Sequence, residues 1–228
     1  MVPEDLSVPI GGIVAAVSIA CIVGGARALD GRLRVAWIAG LLAWLAITGA
    51  IAERGVLGAT TGPPVLPILV ATAATAAIAI VRSRVGDRLA VLPLASLIAL
   101  HAFRLPLEIA MHAGAGRGVP IELTWSGYNL DVVTGVTSIP IAILVALRRC
   151  PPWLIRAWCL VGFVCLFVIL ALAVATLPRV AAFGSDPAHL NTWVAAFPFA
   201  WVPVALVPVA FAGQVLVLRS MRSRPASS

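Results

Sequence analysis

The chain contains no lysine; all sixteen of its basic residues are arginine. A retinal Schiff base needs a lysine amine, so no retinal pigment can be assembled here, whatever the number of helices. Charge of either sign is scarce, at 11% of residues against roughly a quarter in soluble domains. With 61% hydrophobic residues and a mean hydropathy of +1.07, an ordinary soluble domain is excluded and no room is left for a soluble catalytic one. Serine-nucleophile motifs, phosphate-binding loops and paired-cysteine motifs are absent as well. Nucleotide-driven transport would need a separate subunit.

What is present is a succession of apolar runs, at about 8–26, 33–52, 64–81, 89–112, 128–147, 153–177 and 193–218. A hydrocarbon core about 30 Å thick takes about 20 residues per helical crossing, and each run is long enough. None alternates polar and apolar residues as a barrel strand would, and lipid offers no water to unpaired backbone groups. The expected fold is therefore all-α: a polytopic seven-transmembrane-helix bundle forming one domain over 1–228, with 219–228 as a short basic cytoplasmic tail.

Arginines orient the bundle. Arg27, Arg32 and Arg34, then Arg82, Arg84 and Arg88, then Arg148, Arg149 and Arg156, and finally Arg219, Arg222 and Arg224 fall in every second connection, whereas Arg54, Arg117 and Arg179 stand alone in the others. The bias places the N-terminus outside and the C-terminus inside, in the plasma (inner) membrane. Glu4 and Asp5 precede the first run in place of a basic stretch, so that run is expected to stay as the first helix and not to be cleaved. The net charge of +7 is explained by inward-facing arginines and the lipid bilayer with its anionic headgroups, and implies no nucleic acid. Cys21, Cys159 and Cys165 lie within runs and Cys150 at the inner boundary, which gives no disulfide framework; Cys150 is read as a plain thiol in preference to an acylated one.

Small residues at i, i+4 let helices approach closely in lipid. Gly12, Ala16, Ala20 and Gly24 form such a row on the first span, and Thr72, Ala73, Ala76 and Ala77 give the third a thin face; both are expected to pack internally, the alternative being a homo-oligomer contact. Pro198, Pro203 and Pro208 weaken the seventh span, whose freed carbonyls neighbours should satisfy. Trp37, Trp153 and Trp193 are expected as interface anchors, with Trp44, Trp158 and Trp201 deeper.

Ionisable residues within a bilayer need a partner or a purpose, and the fourth span has four. At 100° per residue His101, Arg104, Glu108 and His112 share an arc of about 80°. Tyr128, Asp131, Gly135 and Ser138 fall on one face of the fifth span, which a short connection carrying Glu122 and Trp125 makes an antiparallel neighbour. Together they predict a polar pocket open to the outside, lined by His101, Arg104, Glu108, His112, Trp125, Tyr128, Asn129 and Asp131. Pro106 should kink the fourth span by leaving the Ala102 carbonyl without its helical donor. Asn129 is read first as a helix cap. Arg104 and Glu108 could simply pair, but one arginine against Glu108 and Asp131 leaves a negative charge to be met by a proton or a cation.

A metal site could be assembled from Glu108, His112, Asp131 and His189, although its members come from three places. His101 and His112 are about 16 Å apart along a helix and cannot share an ion, and two histidines on one helix cannot sandwich a haem.

The stretch with Arg104, Pro106, Glu108 and His112, followed by Pro120, Glu122, Thr124, Trp125, Gly127, Tyr128, Asn129, Asp131 and Gly135, resembles a group of bacterial integral-membrane proteins that share R-x-P-x-E and then T-x-x-G-x-N-x-D. No activity is assigned to that group. The resemblance implies that these roughly 35 residues act as one unit and names no reaction; an arginine- and alanine-rich, lysine-free composition suits a high-GC bacterium.

Three function classes compete. The first is a carrier or sensor binding a small solute or cation, with proton linkage through His112 and the acidic pair. The second is an intramembrane enzyme acting on a lipid or apolar substrate, with Glu108, His112 and Asp131 as acid–base candidates, Tyr128 as an alternative acid and Arg104 steadying negative charge. The third is a structural subunit bound to a membrane-complex partner. No similarity between spans one to three and five to seven indicates a repeat-built carrier.

Overall fold

The computed structural model describes residues 4–58 and 63–223. Arg224 and the rest of the tail lie outside the described residues. The architecture is all helical, with no strand among the described residues beyond one isolated bridge between Ala115 and Val119.

Six segments are long and apolar enough to cross a membrane. Helices α1 (Ser7–Ala28), α2 (Gly31–Glu53) and α3 (Val65–Arg82) follow the first three runs closely. Few of their residues are buried, and Val8, Ile19, Val35, Leu42, Ile47 and Ile68 stand exposed on their outer faces. Apolar surface on that scale is tolerable only against hydrocarbon.

The fourth run is broken. After the short helix α4 (Arg84–Leu89), begun by the Ser83 hydroxyl accepting from the Val85 amide at 3.1 Å, the chain turns at Pro93 into α5 (Leu94–Ala99), tightens into a 3-10 turn over Leu100–Phe103 and continues as α6 (Arg104–Ala113). The expected kink thus takes the form of a 3-10 segment just ahead of Pro106, where the ring removes a backbone donor. This crossing, Leu94–Ala113, is the most buried of the six and lies at the centre of the bundle.

The fifth run yields only α7 (Asp131–Ala146), 16 residues or about 24 Å, because residues 124–130 are spent on a turn. Helix α8 (Pro152–Ala175) is the longest and faces outward with Leu160, Val164 and Phe167. The seventh run departs most from expectation. Its first third forms a 3-10 turn at Trp193–Ala195, and the crossing starts only at a π-helical segment, Val202–Leu206, that leads into α9 (Val207–Ser223). Pro208 cannot donate to the Val204 carbonyl; the Trp44 indole does so instead, at 2.8 Å. The freed carbonyl of the buried Val204 is re-satisfied by a neighbouring helix, as a proline in a membrane helix requires.

Two packing expectations are corrected. Gly12, Ala16 and Ala20 point outward, and α1 buries Ile10, Val14, Val17 and Gly25 instead, since large side chains fill the core better than a thin row. On α3 only Ala73 and Ala77 are buried, while Thr72 and Ala76 are exposed. Trp193 is also no anchor: it is buried against Phe199, with ring centroids 5.4 Å apart.

Candidate functional site

Helices α6 and α7 lie unusually close. A side chain at Gly135 would place its Cβ 2.5 Å from the Leu105 amide nitrogen and 3.1 Å from the Arg104 Cβ, so only glycine permits the approach. That proximity lets Arg104 reach Asp131: Nη1 donates to Oδ1 at 2.5 Å, with the two side chains only 1% and 8% exposed.

One turn further along α6, Glu108 faces Asn129, whose Nδ2 donates to both carboxylate oxygens at 2.9 and 2.8 Å and to the Leu123 carbonyl at 3.0 Å. The Asn129 Oδ1 accepts from the Asp131 amide at 3.0 Å, an Asx-type turn that launches α7. Asn129 thus launches α7 and holds the Glu108 carboxyl at once, one position ahead of the N-cap residue Leu130. The turn that presents it is specified locally. The Thr124 hydroxyl donates to the Ile121 carbonyl, the Gly127 and Asn129 amides donate to the Thr124 carbonyl, and a Cβ at Gly127 would overlap the Ile121 carbonyl oxygen. Every residue of the T-x-x-G-x-N-x-D pattern therefore has a part in holding Glu108 and Asp131 beside Arg104.

The open pocket expected here is not what the chain builds. His101, Arg104, Glu108, Asn129 and Asp131 are all buried, because the 114–130 connection folds back onto the two helices and closes their ends. A cavity of about 460 Å³ lies elsewhere, between α1, α2, α3 and α9, lined by Trp37, Trp44, Ala73, Ala77, Val204 and Pro208; it is apolar and none of the ionisable stripe reaches it.

The remaining candidates fall in other places. His112 is half-buried, stacked on Trp125 with ring centroids 4.1 Å apart and 3.5 Å from the Ser126 hydroxyl. Tyr128 precedes α7 and is exposed, stacked on Phe183. His189 sits 2.6 Å from Glu122, tying the 114–130 connection to the segment after α8. The four metal candidates are thereby divided: Glu108 goes to Asn129, Asp131 to Arg104, His112 to Trp125 and His189 to Glu122. Among the described residues no three His, Cys, Asp or Glu side chains gather as a metal would require. His101 is fully buried, edge-on to the Trp158 ring at 5.1 Å.

Sequence reasoning missed Gln214, which is fully buried on α9 beside this group. A signal existed, since it is the one polar side chain other than tryptophan between Trp193 and Leu218.

The helix composition is that of a polytopic membrane protein, and its centre is a buried ionic group on one broken crossing and the start of the short helix α7. No family model, curated protein or solved structure matches the chain.

Proposed function

We propose that this is a seven-span inner-membrane protein, N-terminus outside, that works as a proton-linked carrier of a small solute, with Glu108 and Asp131 as its proton-binding pair. One observation carries the reading: a single guanidinium is held among two carboxylates in a region closed to water. One positive and two negative groups leave a negative charge, and a low-dielectric interior tolerates that only with a proton or cation in attendance. Buried ionisable groups at membrane depth, on helices interrupted by proline and 3-10 turns, are the form that ion relays take. Asn129 supports it by keeping Glu108 in place whether or not the carboxyl carries a proton.

The topology has its own support. Asp30, Asp87, Arg88 and Arg219 meet at one end of the bundle, where Arg88 bonds Asp30 at 2.7 Å and Arg219 bonds Asp87. Asp5 meets Arg117, and His189 meets Glu122, in the alternate connections. The pairings follow the alternation of arginines, with α7 as a short fifth crossing that brings the count to seven. The acid–base enzyme reading is weaker, since no hydrogen bond joins His112 to Glu108 or Asp131 among the described residues.

Infrared spectroscopy of the purified protein at neutral pH tests the proposal. It should show a protonated-carboxyl stretch that vanishes in Glu108→Gln or Asp131→Asn. A wild-type spectrum with only carboxylate bands would overturn the proton-binding reading.

A further inference from the structure

A second polar group lies behind the ion pair, on the side away from the 114–130 connection. His101, in the 3-10 turn, is fully buried with neither ring nitrogen bonded. Gln214 of α9 is fully buried with neither end of its amide bonded. Arg104, 1% exposed, uses only Nη1 on Asp131 and leaves Nε and Nη2 without partners. These are six buried nitrogen and oxygen atoms, on three separate elements, with hydrogen-bonding capacity unused.

The helices are shaped around them. A Cβ at Gly213 would lie 2.8 Å from the His101 Nε2, and one at Gly162 of α8 would overlap the Gln214 amide and stand 3.0 Å from the Thr134 methyl. Glycines on α8 and α9 therefore make room for polar groups that bond no protein atom. A buried donor or acceptor with no partner costs about 1–3 kcal/mol, and native interiors meet such groups with internal water, which typically takes about three bonds. The set suits water in particular: Arg104 only donates, whereas imidazole and amide both donate and accept.

We propose that His101, Gln214 and the free edge of Arg104 form a bound-water site. We further propose that this water is the route by which a proton reaches Glu108 and Asp131 from the far side of the bundle. The first part stands on the burial and geometry of these residues alone; the second rests on the proton-binding reading. In the path the water gives one proton to a carboxylate while taking another from the far side, so His101 and Gln214 hold the water and no charge need settle on the imidazole. The charged group facing His101 is Arg104 on α6, and Cys159 on α8 lies near that same arginine.

X-ray radiolytic labelling of the full chain in lipid nanodiscs tests the site, because radicals made from bound water oxidise buried neighbours. His101, Trp158 and Cys159 should be labelled despite exposures of 0%, 5% and 1%, and the labelling should fall several-fold in Gln214→Leu. Absence of label in the wild-type protein overturns the water site, and this measurement needs no variant to fold. Label that persists unchanged in Gln214→Leu overturns the role of Gln214. The path is read separately, by transferring the protein to deuterated buffer and following the carboxyl stretch. Gln214→Leu should slow the exchange several-fold, and wild-type exchange in that variant overturns the path. If no protonated carboxyl is seen at all, the proton-binding reading fails and the labelling still decides the water site.

Discussion

Two ion pairs in this molecule use the same chemistry in opposite surroundings. Arg104 and Asp131 meet at 2.5 Å with side chains 1% and 8% exposed, whereas Arg88 and Asp30 meet at 2.7 Å with side chains 47% and 73% exposed. Nearly equal geometry hides very different consequences. The exposed pair is screened, and its members are solvated with or without each other, so it contributes little. The buried pair gives up hydration of both ions, and each then depends on the other. The same contrast separates the periphery, where α1–α3 and α8 turn apolar side chains outward, from the centre, where α6, α7 and α9 turn polar ones inward. Selection for stability alone would favour an apolar centre, so the polar one is where function is to be sought.

The comparison breaks most severely at Arg104. Arg104→Ala should destabilise by about 3–5 kcal/mol, since it leaves Asp131 and Glu108 buried without a cation. The double variant Arg104→Met/Asp131→Leu should recover most of that loss, because an apolar pair of similar volume restores neutrality. Thermal unfolding in detergent, followed by size-exclusion chromatography, reads both; a double variant no better than the single one would show that the charges do not depend on each other.

Asn129→Ala comes next, at about 2–3 kcal/mol, because one side chain bonds Glu108, the Leu123 carbonyl and the Asp131 amide. Asn129→Asp should be worse than Asn129→Ala, as it sets a third carboxylate beside the other two. Equal stability of all three proteins in the same unfolding assay would contradict the geometry.

Two glycines sharpen the difference between centre and periphery. Gly135→Ala should cost about 1–3 kcal/mol by forcing α6 and α7 apart, whereas Gly12→Ala, with no atom within 4 Å of the added methyl, should stay within about 0.5 kcal/mol of the parent. Matching melting temperatures for the two variants would mean that the close approach does not matter.

The smallest effect belongs to Asp30. The Arg88 guanidinium beside it holds its carboxyl below the usual carboxylate value. A lowered pKa in the folded state means a contribution present at neutral pH and lost as pH falls through the lowered value. Asp30→Asn should therefore lower neutral-pH stability only slightly and remove a slight acid dependence. A clear drop at neutral pH would show that the exposed pair behaves like the buried one.

Much of the centre was legible in the residues. The spacing of Arg104, Glu108 and Asp131 put three charges on facing stripes, and the structure joins Arg104 to Asp131 while Asn129 bridges Glu108 to the Asp131 amide. The role of Gly135 was legible only as a member of the α7 face, because its purpose lies in the α6 backbone it lets near. His112 lies one turn beyond Glu108 as helical phase requires, but its ring stacks on Trp125, a residue from the connection whose path no periodicity describes. Gln214 lay far along the chain, and nothing but tertiary packing brings it to His101.

Composition and the spacing of apolar runs determined that the chain is a helical membrane protein, because a bilayer imposes its thickness and its intolerance of unpaired backbone on any sequence that enters it. The alternation of arginines is the sequence's ground for the proposed orientation, through the bias of basic residues toward one side of a membrane. Tertiary structure decided where helices would break and whether the polar groups would face water or one another. Those outcomes depend on residues distant in the chain, such as Trp44 supplying a donor to the Val204 carbonyl and Asn129 closing over Glu108. A hydrogen bond between such groups is specified only once both backbones have been placed.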